Sequence, residues 1–403
     1  MKVFMPFFNH IYRMMEEENV RMIAKTYFGM EEILAEELRK IGAENVEAQH
    51  RSVSFWGNQS TLYRANLWSR TAIKILQPIH SFVVKNEADL YKSSLEVPWE
   101  KYLAWSDTFS IESVVINHPK FPHSHFPALR LKDAIADYFR QKTGRRPSVN
   151  TENPMIRFHL HINHQRAEIS LDSTGELLHR RGYRQEQLEA PLNECLAASL
   201  VLQSGWDKKH PLIDPFCGSG TILIEAALIA KNIAPGLLRK ENFAFQKWKN
   251  FDRSLWRKIL AEAEKAICSL ETRIVGSDIS EKAIRIATKN IQRAHLEEDI
   301  SVSVKPFTER MPIGKKGWIV SNPPYGERLD ENVAILYQSL GNLLKQHFAG
   351  YQAWIISPKE ALKHLGLKPF KKMDFLNGAI PCKFYGYKLF EGSMEEFKKT
   401  SIS

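Results

Sequence analysis

The sequence predicts an α/β protein: a C-terminal half built on a mostly parallel sheet with helices on both faces, preceded by smaller α+β units. Three observations predict this. From residue 211 onward, apolar strand-like runs alternate with helical periodicities. A glycine-rich stretch, Cys217-Gly218-Ser219-Gly220, joins the first of those strands to its helix. Before that, short strands and helices follow one another in a mixed rhythm.

The bulk numbers fit such a protein. A chain of 403 residues has room for two or three cores. Its 43% hydrophobic and 25% charged residues are ordinary for a soluble globular chain, and no apolar run is long enough to cross a bilayer. The apolar patch Val3 to Phe8 is followed by Asn9, His10 and the acidic run Glu16 to Glu18, which is neither a secretory nor a transit pattern. Residues 1–20 are expected to be an extension. Cys195, Cys217, Cys268 and Cys382 form no CxxC pair, so reduced thiols in a cytoplasmic protein are expected, and the sequon Asn58-Gln59-Ser60 is a chance match. The net charge of +10 favours polyanionic partners, weakly on its own.

Taken in order, Met30 to Ile41 carries apolar Ile33, Leu34, Leu38 and Ile41 at helical spacing, with Gly42 as its C-cap. A strand near Ser52 to Trp56 and a helix from about Ser60 to Thr71 follow. Phe109 to Ile116 reads as a strand and Ala128 to Thr143 as a helix. Ile156 to Ile162 and Ala167 to Leu171 read as a hairpin across Asn163-His164-Gln165-Arg166. Histidines gather here: His118, His123 and His125, then His159, His161 and His164. His159 and His161 fit one face of a strand, and no carboxylate or cysteine shares their spacing, so no metal site is expected. Leu178 to Arg184 is a basic junction hinged at Gly182, and Pro191 opens a helix running through Asn193 to Ser204. The alternating half then runs as strands Pro211–Asp214, Arg273–Asp278, Gly317–Ser321 and Gln352–Ser357 with helices Thr221–Lys231, Glu281–Ala294 and Asn332–Phe348. Ala379 to Phe390 reads as one more strand or a hairpin.

Two stretches carry chemistry. Asp214-Pro215-Phe216-Cys217-Gly218-Ser219-Gly220-Thr221 follows an apolar strand and opens a helix, and its glycines let a ligand approach the backbone closely. A later strand ends in Asp278, whose carboxylate can accept from both hydroxyls of a ribose. A dinucleotide fingerprint would need a third glycine where Leu223 stands and a ribose acid about 20 residues on, so a nicotinamide or flavin is disfavoured. The set points to an adenosine-bearing cofactor. The second stretch is Ser321-Asn322-Pro323-Pro324-Tyr325-Gly326. Its prolines fix the backbone and leave their carbonyls free to accept, Asn322 adds a side-chain acceptor, and Tyr325 offers a flat face to a base. Two rigid acceptors can hold the two donors of an exocyclic amino group.

These residues carry a resemblance. Asp214–Thr221 resembles motif I of class I methyltransferases, and Asn322–Tyr325 resembles their motif IV of the amino-methylating type. Leu178–Arg184, Ala190–Trp206, Ala234-Pro235-Gly236-Leu237 and Ser321–Leu329, with Phe28–Gly42 and Leu62–Arg70, are similar to the N-terminal half of the bifunctional ribosomal RNA large-subunit methyltransferase L/K family. The likeness covers nearly the whole chain from about residue 21. It implies a ferredoxin-like segment over 21–62, a THUMP RNA-binding domain over 63–174, a basic linker over 175–190, a Rossmann-fold methyltransferase domain over 191–393 and a tail over 394–403. It implies S-adenosylmethionine as cofactor, contacted by Asp214, Phe216, Gly218, Ser219, Gly220 and Asp278, with Asn322, Pro323, Pro324 and Tyr325 gripping the target amine. The expected reaction is methylation of guanine N2 in 23S ribosomal RNA or a large-subunit precursor. The family's loop after the fourth strand usually carries an Asp for the adenine amino group; here the position is Pro306, which leaves a backbone carbonyl to take its place. The family's second methyltransferase half has no counterpart in this sequence, so a second modification is not expected.

RNA contacts are expected from Arg145, Arg146, Arg180, Arg181, Arg184, Lys371 and Lys372, and most of all from the junction arginines. Neither a membrane nor a metal is an expected partner. Three rival readings stand beside this one: a guanine-N2 enzyme for tRNA, an adenine-N6 enzyme for RNA, and a non-catalytic RNA-binding assembly factor.

Overall fold

The computed structural model describes residues 19–184, 186, 192–325 and 331–391. They fall into two compact units: the first holds the chain up to Thr26, Leu34–Leu178 and Arg239–Glu262, and the second holds Tyr27–Ile33, His179–Leu238 and the chain from Ala263 onward. Most of the expected extension, the expected tail, Pro191 and Gly326 lie outside the described residues.

The first unit opens with strand β1 (Val20–Lys25), so Val20, expected in the extension, already belongs to the fold. Helix α1 (Glu31–Lys40) buries Leu34, Ala35 and Leu38 along one stripe and carries acids in its first turn and bases in its last, matching its dipole. Gly42, at φ +86°, lets the Ala43 N–H return to the Leu38 carbonyl at 3.1 Å and closes the helix. Strands β2 (Glu44–Gln49) and β3 (Ser52–Gly57) follow. Helix α2 (Gln59–Trp68) is capped by Asn58, whose side chain accepts from the Thr61 N–H at 3.1 Å. Then come β4 (Lys74–Val83), α3 (Glu87–Leu95), β5 (Thr108–Ile116), α4 (His125–Thr143), β6 (Ser148–Val149), β7 (Ile156–Asn163) and β8 (Arg166–Asp172). All eight strands join one sheet in the order β2-β3-β1-β4-β8-β7-β5-β6. The β7–β8 hairpin turns through His164 at φ +52°. The boundary expected between residues 62 and 63 cuts through α2, and the two α+β segments meet within one sheet.

The second unit starts its regular elements with α5 (Glu194–Gln203), capped by Asn193, and then runs β9 (Leu212–Asp214) and α6 (Thr221–Ala230). The chain next departs to the first unit. Residues 239–262, expected within the methyltransferase domain, group with the first unit and include most of α7 (Arg253–Lys265). The reason is aromatic. Phe245 stacks on Tyr63 of α2 at 4.4 Å, and Phe251 and Trp256 close around the same ring. The Tyr63 hydroxyl accepts from the Asp252 N–H at 3.0 Å, and burial pushes its phenol up to about 12.

Back in the second unit come β10 (Ile274–Asp278), α8 (Glu281–Arg293), β11 (Ile300–Val304), β12 (Gly317–Ser321), α9 (Glu331–His347), β13 (Tyr351–Ser357), α10 (Lys359–Lys363), β14 (Lys371–Asn377) and β15 (Ile380–Lys388). The sheet order is β11-β10-β9-β12-β13-β15-β14, parallel from β11 to β13, with β15 antiparallel to both its neighbours. The chain runs outward from β9 through β10 and β11, then restarts at β12 on the other side of β9. Ligands of such sheets bind beyond the strands' carboxyl ends at that reversal. The loops after β9 and β12 both begin there. The region expected to be one strand or a hairpin is the hairpin β14–β15.

Candidate active site

The loop after β9 is shaped by its glycines. Gly218 has φ +51° and Gly220 has φ +81°, the left-handed region that glycine enters without strain. A Cβ on Gly220 would lie 3.3 Å from the Ala287 Cβ of α8, so the loop and that helix approach closely. Asn290 of α8 fixes the same loop by donating to the Ser219 carbonyl at 3.1 Å.

Two carboxylates bind this loop to its neighbours. The Asp214 side chain is buried, and its Oδ1 accepts from the Phe216 N–H at 3.1 Å and from the Ser321 hydroxyl at 2.6 Å. It thereby ties the end of β9 to the end of β12. Asp278 Oδ2 accepts from the Gly218 N–H at 3.0 Å, and its Oδ1 accepts from the Ser280 N–H at 2.9 Å.

Burial pushes the Asp214 carboxyl up to about 7, against the pull of its bonds from Ser321 and Phe216. The folded chain therefore holds this proton more tightly than the unfolded chain, where an aspartate titrates near about 4. The stability this group contributes is fully present below about pH 4 and is lost as the pH rises towards 7. Asp214→Asn should remove that loss. Between pH 5 and pH 8 the unfolding free energy from urea melts is expected to fall less in the variant than in the parent, and parallel profiles would refute the assignment.

A cavity of about 460 Å³ opens at these loops. Of the residues expected to serve it, Asp214, Phe216, Gly218, Ser219, Asp278, Asn322 and Pro324 line it, whereas Gly220, Pro323 and Tyr325 do not. Pro306, expected at the adenine end with only its backbone carbonyl to offer, lines it too. Further walls were not foreseen: Ile279, Phe307, Thr221 and Leu192. Phe307 and Phe216 face each other at 5.0 Å, and Ile279 is 77% exposed directly after Asp278. In the sequence Ile279 is one more apolar residue at a strand end, with no signal that sets it apart. The cavity is thus apolar on several sides, with carboxylates and backbone donors at fixed points, the usual make-up of a small-molecule site.

Asn322 stands at the end of β12 with its Oδ1 buried and unpartnered among the described residues. Buried acceptors are normally satisfied, and among the described residues this is the one such unpaired side-chain atom on the cavity wall. Pro323 is buried and Pro324 exposed. The Tyr325 hydroxyl accepts from Asn377 Nδ2 at 2.6 Å and from the Cys382 thiol at 3.7 Å, and burial raises its phenol well above the ordinary value.

The expected basic surface needs correction. Arg145 and Arg146 are exposed after α4, with the Arg145 guanidinium 4.4 Å over the Trp105 ring, and Arg180, Lys371 and Lys372 are exposed. Arg181 is not on the surface: it is 2% exposed and pairs with the fully buried Glu225 of α6 at 3.4 Å. Arg184 is also enclosed; it meets Glu194 at 3.4 Å and donates to the Leu192 carbonyl and, at 2.6 Å, to the Thr221 hydroxyl. Both guanidiniums hold the cavity's helix rather than reach for phosphate. The linker expected over 175–190 is likewise held at its start, where Arg239 donates to the Glu176 and Leu177 carbonyls at 2.8 and 2.7 Å. Among the described residues no cluster of His, Cys, Asp and Glu could hold a metal, and no helix is long and apolar enough to cross a membrane. His159 lies opposite Glu112 of β5, a carboxylate not foreseen there, and burial pushes its imidazole down to about 3.

Comparison with known proteins adds to this geometry. Residues 181–385 match the family profile described as the RMKL-like methyltransferase domain, residues 84–172 match the THUMP domain and residues 21–76 match the RlmL ferredoxin-like domain. A Synechocystis protein named as an RNA methyltransferase is 40% identical over 90% of this chain and 95% of its own length. The ribosomal RNA large subunit methyltransferase K/L of Syntrophotalea carbinolica is 38% identical over 92% of this chain; the chain spans about half (54%) of that relative. The crystal structure of SMU.472, described as a methyltransferase and solved with S-adenosylhomocysteine, superposes with a TM-score of 0.84 at 29% identity, covering 93% of this chain and 100% of that one. By sequence and by fold alike, the chain belongs to the RMKL-like family of S-adenosylmethionine-dependent class I methyltransferases and carries THUMP and RlmL-type ferredoxin-like domains ahead of the methyltransferase domain.

Proposed function

We propose that this chain transfers a methyl group to the exocyclic N2 amine of a guanine in 23S ribosomal RNA or its precursor, in the cytoplasm. The observation that carries the amine is the buried Oδ1 of Asn322 at the cavity wall, unpartnered among the described residues. The relatives named for the large ribosomal subunit support the choice of RNA, and the family resemblance supports guanine.

The cavity fits the cofactor's parts. Asp278 suits a ribose diol, the Gly218–Ser219 backbone suits the chain that bears the sulfur, and Ile279 with Phe307 suits the adenine faces. On that side Pro306 offers only its backbone carbonyl, which already accepts from the Glu309 N–H at 3.1 Å and has one lone pair left for the adenine amino group. Asp214, once ionised, is a counter-charge for an amino group. Bound there, S-adenosylmethionine supplies an electrophilic methyl.

The chain's own residues do the rest by positioning. Asn322 Oδ1 and the Pro323 carbonyl accept the two N–H bonds of the amine and leave its lone pair free to attack. They also stabilise positive charge as it grows on nitrogen. The target base has to leave its stack, at a cost of a few kcal/mol, and stacking on Tyr325 returns about 1–3 kcal/mol. Exposed Arg145, Arg146 and Arg180 are proposed to meet phosphates.

The test is chemical. Unmodified 23S RNA and bulk tRNA, each incubated with the protein and labelled cofactor, are digested to nucleosides and analysed by mass spectrometry. N2-methylguanosine from the 23S sample is the expected product. N6-methyladenosine, or label confined to tRNA, would replace this reading with one of its rivals. No product, with no cofactor bound in calorimetry, would leave a non-catalytic RNA-binding factor.

A further inference from the structure

Tyr325 ends the Asn-Pro-Pro-Tyr stretch, and its hydroxyl is held from outside that stretch. Asn377 Nδ2 donates to it at 2.6 Å and the Cys382 thiol at 3.7 Å. The two donors come from opposite strands of the β14–β15 hairpin, Asn377 from the end of β14 and Cys382 from β15. The hairpin turns through Gly378 at φ +62°, and Asn377 pairs with Ile380 across it. It is anchored in turn, because Lys383 to Lys388 of β15 pair with β13. The Tyr325 ring also packs against the core cluster that holds Cys382, Phe375 and Phe384.

The two prolines fix the backbone before Tyr325 but do not fix its ring. A tyrosine turns about two side-chain bonds, and a ring serves as a stacking platform only when it is held in place. We propose that Asn377 is a positioning residue: through its bond to the Tyr325 hydroxyl, the β14–β15 hairpin holds the ring, packed on the core cluster, where the extruded base stacks on it. This rests on the amine-methylating reading above. Asn377 itself touches neither base nor cofactor; it acts through Tyr325. The hairpin is thereby part of the base-binding apparatus, although it lies outside both sequence motifs.

The test uses the full-length protein, unmodified 23S RNA and tritiated cofactor, with Asn377→Ala, Tyr325→Phe, the double variant and Asn377→Asp. Each of the first two should lower kcat by about tenfold, the worth of one net hydrogen bond. KM for RNA, calorimetric cofactor affinity and melting temperature should stay close to the parent. Because both changes remove one shared bond, the double variant should be no worse than either single one. Asn377→Asp should recover part of the loss, since a carboxylate can accept the tyrosine's own proton. Full activity in Asn377→Ala overturns the inference, and so do losses that multiply in the double variant. If Asn377→Ala lowers stability, Tyr325→Phe and the double variant still decide. Asn322→Ala run alongside separates the two readings: activity there sinks the amine mechanism, whereas its loss beside an unaffected Asn377→Ala sinks only the positioning role.

Discussion

Asn322→Ala is expected to reduce methyl transfer by about a hundred- to a thousandfold while leaving cofactor affinity near that of the parent. The change removes a single acceptor, Oδ1, which is buried and unpartnered among the described residues. Nothing in the described protein loses a hydrogen bond to that atom, so the folded state loses little. What disappears is an acceptor that counts only when an amine is present. The loss should appear in single-turnover rates rather than in KM, because the acceptor matters most as charge develops on nitrogen. Asn322→Asp gives a second handle. It keeps the acceptor but brings a carboxylate near Asp214, which already titrates at about 7, so its activity should be partial and strongly dependent on pH. Wild-type turnover in Asn322→Ala would end the proposed mechanism.

Glu225→Ala is expected to destabilise the second unit by about 3–5 kcal/mol. Arg181 is 2% exposed and Glu225 fully buried, so the pair has exchanged water for each other. Tyr183 donates to the same carboxylate oxygen at 3.2 Å. Removing the carboxylate takes a counter-charge from the buried guanidinium and an acceptor from the Tyr183 hydroxyl, which costs more than the pair itself returns. Glu225→Gln keeps the acceptor and should cost less. Urea denaturation followed by tryptophan fluorescence measures both. A change in Glu225→Ala smaller than about 1 kcal/mol would show that Glu225 is not what holds the Arg181 charge in the interior.

The contrast between these two sites explains what could be read from the sequence. Asn322 to Tyr325 and Asp214 to Thr221 were legible because prolines and glycines mark backbone conformation directly, and because each stretch follows an apolar strand. Arg181 and Arg184 were misread because a sequence records charge but not its neighbours; Glu225, the partner of Arg181, stands far along the chain on α6. Ile279 and Phe307 were missed because an apolar side chain in a cavity wall looks the same as one in a core. Among the strands, β2 is polar and mostly exposed, and β4 contains Pro78 with a register shift beside it, so neither shows clean alternation. Strand β1 buries three consecutive residues and hides its period for the opposite reason. Asn377 was beyond reach altogether. Its partner is a hydroxyl 52 positions earlier, and no local pattern links the two.

The aromatic closure around Tyr63 also bears on how the chain is made. The first unit's sheet is complete in sequence by Asp172, yet Phe245, Phe251 and Trp256 emerge from the ribosome only after β9 and α6 of the other unit. During synthesis, at about 5–20 residues per second, the ring of Tyr63 therefore waits several seconds for its cover. Through that interval the nascent chain displays an apolar patch on α2, a natural handle for chaperones. A gene cut at the junction near residue 180 would make that exposure permanent.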